Sequence, residues 1–229
     1  ALYAATCPGT AARMAGETTS WFIDFGRRTL LENAELGISS GMASIAYGRD
    51  VLFFLLCVGL VLCVWARTKC PWARGLSLLN ALAVLALGVL GEALCAAVPK
   101  LAFFKSAVTK YGIVHTATAW EPKRWLSFLT LCFILAACVV CLYLALGHSR
   151  RAFFAIAALC AGFSTKAMLG FSPTVWQSGA RTGFFLGCAF VYCAASLWRS
   201  LADKPRARLA YSLCIALGAA LGAAGLIGA

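Results

Sequence analysis

The stretch 125–147, WLSFLTLCFILAACVVCLYLALG, carries no charged side chain and decides the fold class. At 1.5 Å of rise per residue it forms a helix of about 35 Å, long enough to cross the ~30 Å hydrocarbon core of a bilayer. Backbone amides and carbonyls find no water partner in lipid, so such a segment must be helical. We therefore predict a membrane-spanning helix here.

Five further apolar stretches surround this one, at 47–66, 75–98, 152–171, 182–198 and 209–229. The chain is 62% hydrophobic and 12% charged, whereas soluble domains are about 25% charged. The stretches are apolar on all sides, which argues against a soluble helical core. The sequence thus predicts an all-α polytopic transmembrane bundle of about six helices, with residues 47–229 as a single membrane domain.

Residues 1–46 are expected to contain the end of a preceding membrane helix and then interfacial helices outside the cytoplasm. The chain begins with an apolar run and without Met, which favours the C-terminal part of a longer protein. Thr29 and Glu32 have the spacing of a capping box at a helix start. Upstream of this helix start, three aromatic residues are predicted to lie at the depth of the lipid headgroups: Trp21, Phe22 and Phe25.

Basic residues predict the orientation, because cytoplasmic loops are enriched in Lys and Arg. Three short connections hold nine of them: Arg67, Lys69, Arg74, Arg150, Arg151, Arg199, Lys204, Arg206 and Arg208. The longer connections, 7–46, 99–124 and 172–181, then lie outside the cytoplasm together with most of the acidic residues. The net charge of +12 is explained by topology and anionic lipid, so no nucleic-acid partner is expected.

Most of the twelve cysteines lie singly within the apolar stretches. Cysteine in that setting behaves as a small hydrophobic residue. We predict neither a disulfide framework nor a metal site.

Lys166, within the fourth stretch, is the first candidate for a functional side chain. A lysine at the centre of a membrane helix costs roughly 2.5–3.5 kcal/mol. It either lines an outward-opening polar cavity or snorkels to the interface without a role. Glu92, near the outer end of the second stretch, is a candidate partner or cavity residue. Asp50 and Arg49 are interpreted as an interfacial pair.

The segment 171–181, FSPTVWQSGAR, follows Lys166 and connects two predicted helices. Pro173 ends the helix, because proline lacks an amide donor. Ser172 and Ser178 offer hydroxyl groups, and Arg181 offers a planar fork of donors that suits a phosphate. An ordinary helix hairpin is the alternative.

A second suggestive segment, 8–13 (PGTAAR), presents Arg13 just after the apolar start. Together the two motifs resemble those of bacterial polytopic proteins related to the GT-C glycosyltransferases, which use polyprenyl-phosphate-linked sugars. Those proteins usually have Asn where this chain has Thr10. The resemblance covers two short motifs and the helix pattern.

The resemblance implies glycosyl transfer to a cell-envelope glycan at the outer face of the bacterial cytoplasmic membrane. By that analogy Arg13, Lys166 and Arg181 neutralise the lipid-linked phosphate, and the two serines hydrogen-bond it. The family's essential acidic residue would lie upstream of this chain. The catalytic base is thus unknown, and the fallback candidates are Asp24 and Glu17. His115, in the loop before the third stretch, is a possible assistant in the cavity.

The membrane lipid, a lipid-linked sugar and a glycan acceptor are the expected partners, and no cofactor is evident. Two other functional classes remain as alternatives. A transporter or flippase would use Lys166 and Glu92 as ions in a transport path. A non-catalytic membrane subunit would dock a partner through the long outer loops.

Overall fold

The structure is a computed structural model that describes residues 16, 25–48, 50–102, 112, 121–173, 175 and 183–227. Those residues are predominantly helical, as predicted. The helices are α1 (Leu30–Ala46), α2 (Val51–Arg67), α3 (Pro71–Val84), α4 (Gly91–Ala97), α5 (Pro122–Leu146), α6 (Arg150–Ala167), α7 (Phe184–Ser200) and α8 (Pro205–Ile227). Short 3-10 turns lie at Phe25–Arg27, Pro99–Leu101 and Met168–Phe171.

Three helices in this part of the chain are long and apolar enough to cross a membrane: Pro71–Val89, Arg124–Leu146 and Arg150–Phe171. The pair α1 and α2, bent by 72°, adds a fourth if it forms one span. The six predicted spans are therefore not confirmed. Helix α7, with 17 residues, is about 26 Å long and falls short of the hydrocarbon core.

The second predicted span, 75–98, is interrupted. Helix α3 continues into a π-helical turn at Leu85–Val89, and α4 starts after Leu90. Apolar composition did not signal this break, because a π turn exchanges one backbone hydrogen-bonding pattern for another without needing polar side chains.

The start of α1 follows the prediction. The Thr29 side chain accepts a hydrogen bond from the Glu32 amide, and the Glu32 carboxylate accepts one from the Thr29 amide at 2.8 Å. Leu30 and Leu31 are 76% and 82% exposed, as suits a helix lying against lipid. Phe25, however, is buried in a cluster with Leu36 and Val175, whereas Trp21 and Phe22 lie outside the described residues.

Large side chains from α2, α5 and α7 form the core of the bundle. Its fully buried members include Phe53, Leu56, Leu60, Leu142, Phe190 and Leu197. Tyr211 brings α8 against α2, where its ring lies directly over Gly59. This close approach requires glycine, because any Cβ at position 59 would collide with the ring.

Candidate functional site

Helix α1 crosses the end of α6 at a contact between glycines. A Cβ at Gly37 would collide with the carbonyl oxygen of Ala167, and one at Gly170 would collide with that of Asn33. Two backbones can approach this closely only where side chains are missing. The contact fixes α1 against the last turn of α6.

Lys166 lies in that last turn, one residue before the end of α6. Its Cγ lies 3.4 Å from the position that a Cβ on Gly41 would occupy, so the aliphatic stem packs against α1. The side chain is half-buried. A cation at a helix C-terminus is favoured by about 0.3–1 kcal/mol, because the last carbonyls are unpaired. The lysine is therefore at a helix end, where its insertion cost is lower than at a helix centre.

Asp50 lies near enough to Lys166 for the opposite charges of the two side chains to attract each other, and both residues line the same cleft. It is also the N-cap of α2, where its Oδ1 accepts a hydrogen bond from the Phe53 amide at 3.1 Å. The residue is half-buried at the bend between α1 and α2. The structure thus places opposite charges from two helix ends on one surface.

A cleft of about 1440 Å³ opens beside this pair. Asp50 and Lys166 lie on one wall, and the first three turns of α7 form the other, with Phe184 and Tyr192 among its lining residues. Most of the surface is apolar, and Ser44 adds a hydroxyl group. We call this space the Lys166 cleft. It combines a charged pair with room for an apolar ligand.

The bend that carries Asp50 is held on two sides. The Tyr47 hydroxyl hydrogen-bonds the Ser127 hydroxyl at 2.9 Å, which ties the bend to the start of α5. A Cβ at Gly88, in the π-helical turn, would come within 2.8 Å of the Ala46 carbonyl oxygen. The two helix interruptions therefore touch one another, next to residues of the bend that line the cleft.

Ser172 lies in the turn that follows α6 and is half-buried. It is not among the described residues that line the Lys166 cleft. Pro173 and Val175 are buried, and Val175 packs with Phe25 and Leu36. The described part of this turn thus has a structural role in anchoring the end of α6 to α1.

Glu92 is exposed in the first turn of α4. It is not among the described residues that line the Lys166 cleft, whereas Asp50 is. The remaining predicted site residues, Arg13, Glu17, Asp24, His115, Ser178 and Arg181, lie outside the described residues.

The opposite end of the bundle carries the predicted cation-rich connections. Arg74 donates to the carbonyl oxygens of Thr68 at 2.8 Å and Trp65 at 3.1 Å, and Arg67 donates to that of Ser200 at 3.0 Å. The Trp198 ring lies 3.7 Å from the Arg208 guanidinium carbon. These guanidinium groups bind helix ends and aromatic rings.

The buried cysteines act as apolar core residues, as predicted. Cys57, Cys63, Cys138, Cys141 and Cys193 are fully buried and unpaired by disulfides. Cys138 and Cys141 have C-x-x-C spacing, yet both are fully buried in the apolar core of the bundle. Across the part of the chain that the structure describes, no group of three His, Cys, Asp or Glu side chains is arranged to hold a metal ion.

Asp50 was interpreted from the sequence as half of an interfacial pair with Arg49, which lies outside the described residues, so that pair stays a prediction; the position of Asp50 beside Lys166 in the cleft was not predicted. A usable signal was present. Successive helices alternate direction, so the start of the first predicted span and the end of the fourth belong to the same end of the bundle.

Comparison with known proteins identifies no relative: no family model, no curated protein and no solved structure matches the chain.

Proposed function

We propose that this chain forms part of a membrane glycosyltransferase that takes a sugar from a polyprenyl-phosphate-linked donor and modifies an envelope glycan. The observation that carries the proposal is the Lys166 cleft, where a cation lies at the edge of a large apolar space. A lipid-linked phosphate needs both features: an ammonium group for its head and apolar walls for its chain.

Lys166 would bind the phosphate oxygens and stabilise the negative charge that grows on the leaving phosphate. Asp50 would act as a positioning residue, because it lines the same cleft and its negative charge attracts the lysine ammonium. Arg13, Arg181, Ser172 and Ser178 remain the other proposed phosphate ligands. Glu17 and Asp24 remain the proposed candidates for the base that deprotonates the acceptor hydroxyl.

The first test measures binding of undecaprenyl phosphate to the full-length protein by native mass spectrometry in detergent. Lys166→Met should weaken binding about tenfold, since a charge-assisted hydrogen bond contributes roughly 1.5–3 kcal/mol. Lys69→Met is the matched control, because Lys69 is an exposed lysine in the connection between α2 and α3, at the cation-rich end. Equal affinity of wild type and Lys166→Met would contradict the phosphate role.

Catalysis needs a second readout. Envelope glycans from a strain lacking the protein should lose one sugar substituent, and Lys166→Met should fail to restore it while being inserted at normal levels. Full restoration by Lys166→Met would refute the proposed role of this lysine in transfer.

A transporter or flippase is the second candidate, favoured by the contact between the two helix interruptions at Ala46 and Gly88. Interrupted membrane helices often line substrate paths in transporters. A flippase would move the lipid-linked sugar across the membrane of proteoliposomes without cleaving the sugar–phosphate bond. A transferase would instead release polyprenyl phosphate when an acceptor glycan is present.

A further inference from the structure

The thiol groups of the buried cysteines differ in what they contact. Cys193, for example, donates to the backbone carbonyl oxygen of Ala155 at 3.3 Å. Cys57 on α2 and Cys138 on α5 instead hydrogen-bond one another, and both are fully buried where these two helices pack together. The pair therefore holds two sulfur atoms side by side in the interior of the bundle.

An amide group from a third helix is directed at this pair. Asn80 on α3 is 1% exposed, and its Nδ2 donates to the Cys57 sulfur at 3.7 Å. Its Oδ1 is buried without a hydrogen-bond partner among the described residues. A leucine at this position would avoid the cost of that unpaired atom. Packing by itself therefore does not explain an asparagine beside the two sulfurs.

A second buried donor lies in the same part of the core. The Tyr211 side chain on α8 is fully buried, and its hydroxyl group has no hydrogen-bond partner within the described part of the chain. Cys57 is one of the cysteines near this hydroxyl. The surroundings of the pair thus contain an N–H and an O–H group, which are the groups that stabilise negative charge on sulfur in an apolar interior.

Two adjacent thiols without a third ligand suit a soft monovalent cation. Thiolate sulfur is the ligand that Cu(I) favours, and Cu(I) is stable with two sulfur ligands. A structural zinc ion takes four ligands. Among the residues that the structure describes, no third His, Cys, Asp or Glu side chain joins the thiols in an arrangement that could hold a metal ion. The composition of the site therefore selects Cu(I).

We propose that Cys57 and Cys138 bind one Cu(I) ion between α2 and α5. Two copper–sulfur bonds form as two S–H bonds break and two protons leave, and no electron is transferred. The complex carries one negative charge, which is costly in an apolar core. The Asn80 amide offsets this cost by donating to the Cys57 sulfur. Neither cysteine is among the described residues that line the Lys166 cleft, so the site is separate from the proposed phosphate site.

The test titrates the full-length protein, purified in detergent under reducing conditions, with Cu(I) in competition with a chromogenic Cu(I) chelator. Wild type should bind a single ion. Cys57→Ala and Cys138→Ala should each weaken binding by at least about a hundredfold, because the remaining thiol loses the avidity of the pair. Cys63→Ala and Cys141→Ala are the matched controls, since both cysteines are fully buried on the same two helices, and they should bind like wild type.

Asn80→Leu tests the amide as a positioning residue. Removing a hydrogen-bond donor to a metal ligand should lower the Cu(I) affinity about tenfold. X-ray absorption should still show two sulfur ligands in this variant, because both thiols remain. Wild-type affinity in Asn80→Leu would contradict the role of the amide.

X-ray absorption of the copper-loaded wild type gives a measurement that needs no variant to fold. It should show copper bound by two sulfur atoms and by no oxygen or nitrogen. The proposal is overturned if wild type fails to compete with the chelator, if other ligands surround the copper, or if the control variants lose as much affinity as the pair variants. None of these results bears on the glycosyltransferase proposal, which depends on Lys166.

Discussion

The two ends of the helical bundle use their cations in opposite ways. At the cation-rich end, Arg74 and Arg67 donate to backbone carbonyls and so join neighbouring helices. At the other end, Lys166 lines an open cleft together with Asp50. Arginine suits the first task, because its planar fork reaches two carbonyls at once.

This difference shows that abundant charge does not by itself indicate a binding site. Nine cations crowd the first end, and those named above serve helix termini and aromatic rings. A single lysine at the other end adjoins about 1440 Å³ of space. The surroundings of a charge, more than the number of charges, decide whether a ligand can use it.

The largest effect is expected where α1 meets α6. Gly37→Ala would place a methyl group against the Ala167 carbonyl oxygen. Overpacking of this kind should lower the free energy of unfolding by about 3 kcal/mol and displace the wall of the Lys166 cleft. Thermal unfolding in detergent measures the loss. Gly75→Ala is the control, because a Cβ there meets nothing within 4 Å, and an unchanged melting temperature in Gly37→Ala would contradict the contact.

A smaller effect is expected at the cation-rich end. Arg74→Ala removes two hydrogen bonds and the stacking of its guanidinium over Trp65, at 5.5 Å from the ring centre. Stability should fall by about 2 kcal/mol while undecaprenyl phosphate binding stays at the wild-type level. Arg151→Ala, at an exposed arginine in the first turn of α6, controls for loss of charge alone. If Arg74→Ala also weakened undecaprenyl phosphate binding, the claim that the cation-rich end has only a structural role would be contradicted.

The smallest effect concerns the bend under the cleft. Tyr47→Phe removes the 2.9 Å hydrogen bond to Ser127 and should cost about 1 kcal/mol of stability. A double-mutant cycle with Ser127→Ala isolates this pair, because each single change removes the same bond. Additive losses in the cycle would show that the two hydroxyl groups do not stabilise each other.

Local features of the fold could be predicted from the sequence because they depend on neighbouring residues. The capping box of Thr29 and Glu32 needs only a three-residue spacing, and it forms as expected. The stretch around 125–147 forms a helix for an equally local reason, since its composition suits hydrocarbon. The number of spans could not be obtained in this way, because the break near Leu90 has no marker in hydropathy, and the charged residues Arg49 and Asp50 at the α1–α2 bend do not show whether α1 and α2 form one span.

The residues of the candidate site likewise differ in whether the sequence alone could identify them. Lys166 could be selected from the sequence, because a charged residue in an apolar stretch is costly and conspicuous. Asp50 was not selected, because the alternation of helix directions shows only that its helix end and that of Lys166 belong to the same end of the bundle, whereas tertiary packing decides which side chains line one cleft. Ser172 was selected for its hydroxyl group, whereas Pro173 and Val175 in the same turn pack against α1 and have a structural role.

The amino-acid composition by itself determined that the chain is apolar enough for a membrane. It also determined that the apolar stretches are helical, because a backbone without water partners must satisfy its hydrogen bonds internally. Tertiary packing decided where the helices bend, that Asp50 and Lys166 line one cleft, and where that cleft lies in the bundle. Those outcomes depend on backbones that approach at Gly37 and Gly170, and on which side chains then fill the remaining space. Contacts between residues more than a hundred positions apart leave no trace in local periodicity.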